Sequence, residues 1–113
     1  MALDTADPQP QQAAPVVFFD RRELNQLLDL YGRMVASGHW RDYAIDGLRD
    51  AAVFSVFRHA SQAPLYRIEK HPELARRQGA WAVVAQGGLV LRRGHDLGHV
   101  LRVFDRARFA VVD

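Results

Sequence analysis

The sequence predicts an α+β domain: an antiparallel sheet of four or five strands packed on a long N-terminal helix, with a short middle helix and a C-terminal helix. Three observations carry this. Residues 21–36 repeat apolar side chains at helical spacing, residues 52–93 break into short β-rich runs separated by turn residues, and Gly87-Gly88 joins two such runs by a two-residue link.

The first helix starts at Asp20, which can accept from the first turn while Glu23 reaches back to it. Leu24, Leu27, Leu28, Tyr31, Met34 and Val35 form the apolar stripe, Asp29 and Arg33 stand four apart as an ion pair, and Ser37-Gly38 ends the run. Gly32 inside the helix implies close packing against a neighbour. Ala52–Arg58 is nearly continuous in apolar, β-favouring residues and belongs inside a sheet, whereas Leu65–Lys70 alternates as a half-exposed strand does. Pro72 to Gly79 reads as a short helical turn, with strands at 81–86 and 89–93 beyond it. A last helix is expected from His95, because Leu97, Val100, Leu101 and Phe104 keep the helical period, and residues 109–112 extend it or add an edge strand.

The chain of 113 residues is 49% hydrophobic and 25% charged, enough for one core at residues 16–113. Residues 1–15, rich in Pro, Gln and Ala, read as a flexible tail. No apolar run reaches the roughly 18 residues of a membrane span, and the start is acidic, so no membrane and a cytoplasmic location are expected. With no cysteine there are no disulfides, thiol nucleophiles or thiolate metal sites. The pI near 9.5 overstates the field, because 15 basic residues face 13 acidic ones. The balance points to an unknown protein or anionic partner, and the absence of Lys/Arg runs disfavours nucleic acid.

No nucleophile elbow, phosphate-binding loop or dinucleotide fingerprint occurs, and no cofactor is expected. His95 and His99, four apart, would share a helix face, but Arg102 and Arg106 follow on the same side and no metal site is predicted. Asp42 and Asp46 read as strand-end or turn residues before acid-base groups. Trp40-Arg41-Asp42-Tyr43 concentrates an indole, a guanidinium, a carboxylate and a phenol at the helix-to-sheet junction. Such a cluster is either a structural latch or an edge that binds an anionic or planar ligand.

The central hairpin supplies the main site. If its turn lies across Ala60–Ala63, Val56 opposes Arg67, and one face carries Phe54, Val56, Arg58, Leu65, Arg67 and Glu69. The first helix then covers Val53, Phe57, Tyr66 and Ile68, leaving Arg58 and Arg67 open beside Phe54. The expected binding residues are therefore Arg58, Arg67, Phe54, Trp40, Arg41 and Tyr43. They suit a non-catalytic interaction or regulatory domain. A nucleic-acid module on the same face is one alternative, and an enzyme on a small anionic substrate, with Arg41 or Arg58 converging on a His or Asp, is another. An uncovered face or edge also allows a homodimer.

The words Trp40-Arg41-Asp42-Tyr43-Ala44-Ile45-Asp46, Ala52-Val53-Phe54-Ser55-Val56-Phe57-Arg58 and Pro64-Leu65-Tyr66-Arg67-Ile68-Glu69-Lys70 resemble a small bacterial domain family of unknown function. Tyr31-Gly32, Gln78-Gly79 and Arg93-Gly94 extend the resemblance over about residues 18–104, where His39 and His59 depart from the polar residues expected at their places. It implies a fold and transfers no activity, cofactor or catalytic residue.

Overall fold

The computed structural model describes residues 16–59 and 62–105. The expectations for the tail at 1–15 and for residues 106–113 lie outside the described residues. Helix α1 spans Arg21–Ala36, and its start is a reciprocal cap: Asp20 Oδ1 accepts from the Glu23 amide at 2.8 Å, and Glu23 Oε1 accepts from the Asp20 amide at 2.9 Å. The helix ends at Ser37, followed by Gly38 at φ +82°.

Three details of α1 differ from expectation. Its buried seam is Leu27, Leu30 and Met34, with Leu24, Leu28 and Tyr31 flanking it, while Val35 is exposed. Asp29 and Arg33 are not among the ion pairs of the described residues. Gly32 lies on the exposed side with open space where a Cβ would be, so no close approach retains it.

Five antiparallel strands follow in sequential order: β1 Asp42–Gly47, β2 Ala52–Phe57, β3 Tyr66–Lys70, β4 Trp81–Ala85 and β5 Val90–Gly94. A one-turn 3-10 helix at Pro72–Leu74 lies between β3 and β4, and Gly87 and Gly88, at φ +88° and +90°, turn β4 into β5. Helix α2, Leu97–Leu101, is capped by Asp96, whose Oδ2 accepts from the His99 amide at 2.8 Å. His95 precedes that cap, so His95 and His99 are not an i, i+4 pair on one helix. Among the described residues no group of three metal-ligating side chains forms, and no helix is long and apolar enough to cross a membrane.

The β2–β3 register corrects the sequence reading. Val56 pairs with Tyr66, Ser55 with Arg67 and Phe54 with Ile68, one residue away from the expected alignment. This places Phe54, Val56 and Ile68, all at 0% exposure, together on the face that α1 and α2 cover, joined there by Leu27, Leu30, Trp81, Val83, Leu97 and Val100. The slip has a simple cause: a one-residue shift moves every side chain of a strand to the other face, and only this alignment puts three large apolar side chains in one core. Val53, Ser55, Phe57, Arg67 and Glu69 consequently share the uncovered face.

The single lysine fastens the layers. Lys70 Nζ donates to Glu23 Oε1 at 2.6 Å and to the Phe18 carbonyl at 2.8 Å, and it stands 5.8 Å from the Trp81 ring centre, tying the start of α1 to the sheet.

Candidate anion site at the end of the sheet

The anticipated Arg58/Arg67 pair does not exist. The two arginines are on opposite faces of the sheet, and Phe54, expected beside them in the open, is fully buried and stacked on Tyr43 with ring centres 5.2 Å apart and planes at 18°. Arg67 is engaged within its own strand, its Nε donating to Glu69 Oε2 at 3.0 Å, while Glu69 Oε1 lies 2.9 Å from His71 Nε2. Burial raises the Glu69 pKa, but the hydrogen bonds of His71 and Arg67 and their nearby charges outweigh it, holding the carboxyl below its ordinary value. This row borders a shallow, largely apolar groove of about 450 Å³ over Val53, Ser55 and Ala51.

Arg58 instead has another partner in space. The β1–β2 ladder ends with Asp42 opposite Phe57, and just beyond it the Arg41 amide donates to the Phe57 carbonyl at 2.8 Å, so Arg41 and Arg58 lie at the same end of the two strands. Both arginines are exposed, and with His59, Gly38, Val35 and Trp40 they line an open pocket of about 420 Å³. Among the described residues no carboxylate lines it and no ion pair involves Arg41, Arg58 or His59. Like charges gathered at one end of the sheet repel, so the arrangement favours an anion that bridges them.

Trp40 gives the site its rigid wall. It is 1% exposed, and its ring meets Phe104 edge-on at 5.1 Å and 89°, with Tyr31 and Tyr66 also around it. The latch and the binding edge anticipated for residues 40–43 are thus separate side chains: Trp40 closes the core, and Arg41 borders the pocket. Tyr43 belongs to neither, because its ring lies between Phe54 and Tyr31 along the β1 edge, 40% exposed. Asp42 accepts from the Tyr43 amide, and no histidine is among its hydrogen-bond partners in the described residues.

Sequence reasoning missed that Arg41 and Arg58 share one strand end because it treated residues 38–47 as a connection. The signal was present: Tyr43 and Ile45, two apart between Asp42 and Asp46, have the period of a strand. A family described as "Protein of unknown function (DUF2794)" matches residues 17–101, which include all of α1, the whole sheet and most of the pocket's neighbours. The chain belongs to the DUF2794 family. Comparisons with curated proteins and with solved structures find no match. The matched region ends with Leu101, the last residue of α2, and every residue lining the Arg41–Arg58–His59 pocket falls within it.

Proposed function

We propose that this DUF2794 chain is a non-catalytic interaction or regulatory domain that takes an acidic segment of a partner protein at the Arg41–Arg58–His59 end of its sheet. One observation carries the reading: two exposed arginines at the same end of β1 and β2 line one pocket that has no carboxylate among the described residues. A partner's carboxylates supply the missing counter-charge, and the buried Trp40 beneath fixes the geometry. Arg67, which the sequence reading paired with Arg58, takes no part, because Glu69 already neutralises it.

The convergence of two arginines with a histidine is also the arrangement expected of an enzyme acting on a small anion. Binding is the better reading. Among the described residues the His59 ring has no hydrogen-bonded partner to orient it, and the pocket is open to solvent. The nucleic-acid reading loses its platform once Arg58 and Arg67 are on opposite faces.

The test is an NMR titration of the full chain with a glutamate-rich peptide. The side-chain Nε–H signals of Arg41 and Arg58 are expected to move, Arg41→Gln and Arg58→Gln each to weaken binding by about fivefold or more, and Arg67→Gln to leave it unchanged. Equal losses from Arg67→Gln and Arg58→Gln reject the site. A single-stranded oligonucleotide that binds more tightly than the peptide rejects the protein partner.

A further inference from the structure

Strand β1 is an edge of the sheet, and its outer side has the backbone groups that another strand needs. The Leu48 amide donates to the Ala51 carbonyl across the β1–β2 hairpin at 2.8 Å. In an antiparallel ladder every second residue turns its backbone groups the same way, so Asp42, Ala44 and Asp46 face β2 while Tyr43, Ile45 and Gly47 face outward. The Asp42 carboxylate caps the first of these outward amides, accepting from Tyr43 at 2.8 Å. An edge with such groups is a template for pairing with another chain.

The side chains of this edge are sorted by charge. Tyr43 and Ile45 are exposed on the helix side, where Ile45 and Gly47 border a mostly apolar cavity of about 290 Å³ with Phe18, Phe19 and Leu24. Asp42 and Asp46 are exposed on the uncovered side, and neither has an ion pair among the described residues. A strand that fits here carries apolar side chains at alternate positions and a base on its other face. Residues 106–113, Arg-Ala-Arg-Phe-Ala-Val-Val-Asp, have that pattern. Laid antiparallel with Phe109 opposite Ile45, they bring Val111 to Tyr43 on the helix side, Arg108 to Asp46 on the other, and Asp113 to the Arg41 end of the strand. A shift of two residues either way puts Val111 against Arg41 or Phe109 against Gly47, and moves Arg108 away from Asp46.

The chain's own segment cannot take this course. Phe104 rests on Trp40, ring centres 5.1 Å apart, so the chain leaves the domain at the end where β1 starts. To run antiparallel along its own β1 it would first have to cover about 17 Å, from Arg41 to Asp46, whereas the three steps from Asp105 to Arg108 reach about 11 Å. Running parallel, it would carry Asp113 to Gly47, away from Arg41. We propose that residues 106–113 of a second copy add to β1 as a sixth strand, reciprocally, so that the chain forms a two-fold homodimer by segment exchange. The proposal goes beyond the acidic-peptide reading and stands on a different edge, sharing only Arg41 with it.

The experiment mixes two variants of the full chain, Asp46→Arg and Arg108→Asp, and reads mass by sedimentation equilibrium in low salt. Wild type is expected to be a dimer. Each variant alone opposes like charges at both exchanged strands, and its dimer dissociation constant is expected to rise about tenfold or more. An equimolar mixture is expected to dimerise as wild type does, because every Arg then meets an Asp across the two chains, whereas a contact within one chain gains nothing from mixing. Native mass spectrometry should find the restored species to be the heterodimer. Arg58→Gln, on the pocket rim and off the edge, is expected to leave the dimer intact, and Ile45→Lys to dissociate it with an unchanged far-UV circular dichroism spectrum. A monomeric wild type, single variants that dimerise as tightly as wild type, or a mixture no tighter than its parts overturns the proposal. Loss of the dimer with Arg58→Gln also overturns it, by placing the contact at the pocket.

Discussion

Replacing Phe54 and Phe57 by alanine, one at a time, tests the register on which the placement of Arg58 depends. The two residues occupy one strand, three apart, and face opposite sides of the sheet. Phe54 is at 0% exposure against the helices and stacks on Tyr43, whereas Phe57 is half-buried on the uncovered face. Removing a fully buried phenylalanine leaves a cavity and costs about 3–5 kcal/mol, here with the ring pair to Tyr43 included. For Phe57 no closed cavity remains, and loss of roughly half the burial of such a side chain costs about 1 kcal/mol. With a urea slope of about 2 kcal/mol per molar for a domain of this size, the midpoint should fall by about 2 M for Phe54→Ala and about 0.5 M for Phe57→Ala. Circular dichroism and tryptophan fluorescence, followed together, read both. Equal shifts, or a larger one for Phe57→Ala, refute the alignment and with it the placement of Arg58 beside Arg41.

Three further outcomes follow from single contacts. The Glu69 carboxyl has a folded pKa below its unfolded value, so its contribution to stability is present above about pH 4.5 and fades as pH falls through the folded value; thermal melts of Glu69→Gln from pH 7 down to 3 should show a flatter acid decline than wild type. Gly79→Ala should fail to fold or melt far below wild type, because the new Cβ would stand 2.2 Å from the Gly94 backbone at a residue with φ +103°. Asp20→Ala removes one half of the reciprocal cap on α1 and should cost about 1 kcal/mol in urea unfolding, with Glu23 still held by Lys70.

What the sequence made legible was whatever one segment decides alone. Asp20 and Glu23 cap a helix wherever that helix packs, and Gly87-Gly88 makes a tight turn without help from the rest of the chain. Strand β1 was harder, since Asp, Ala and Gly are poor strand formers and its six residues are all exposed at an edge. Register was harder still. Strand β2 carries apolar residues on both faces, Phe54 and Val56 on one, Val53 and Phe57 on the other, so its own pattern does not choose. The informative residue was Ser55, the one polar side chain within β2, which marks the uncovered face and pairs with Arg67. Taking that serine as the guide places Arg58, three residues on, with Phe54 and Val56 on the helix side.

The candidate site was illegible for a related reason, because it needs two register facts at once and no linear pattern announces it. Its energetics nonetheless have a definite sign. In the free domain Arg41 and Arg58 have no ion pair among the described residues, and two like charges brought to one strand end lower stability, by about 0.5 kcal/mol where they face each other. Arg58→Gln should then raise the melting temperature by about 2–4 °C in low-salt buffer free of multivalent anions. The gain should shrink as salt screens the repulsion and reverse when the glutamate-rich peptide is present, since only wild type is stabilised by binding. Opposite signs in the two buffers separate a binding pair from structural arginines whose stems merely cover apolar surface; those would lose stability on substitution under both conditions. A lower melting temperature for Arg58→Gln in both buffers would assign the pair to the fold and remove the anion site.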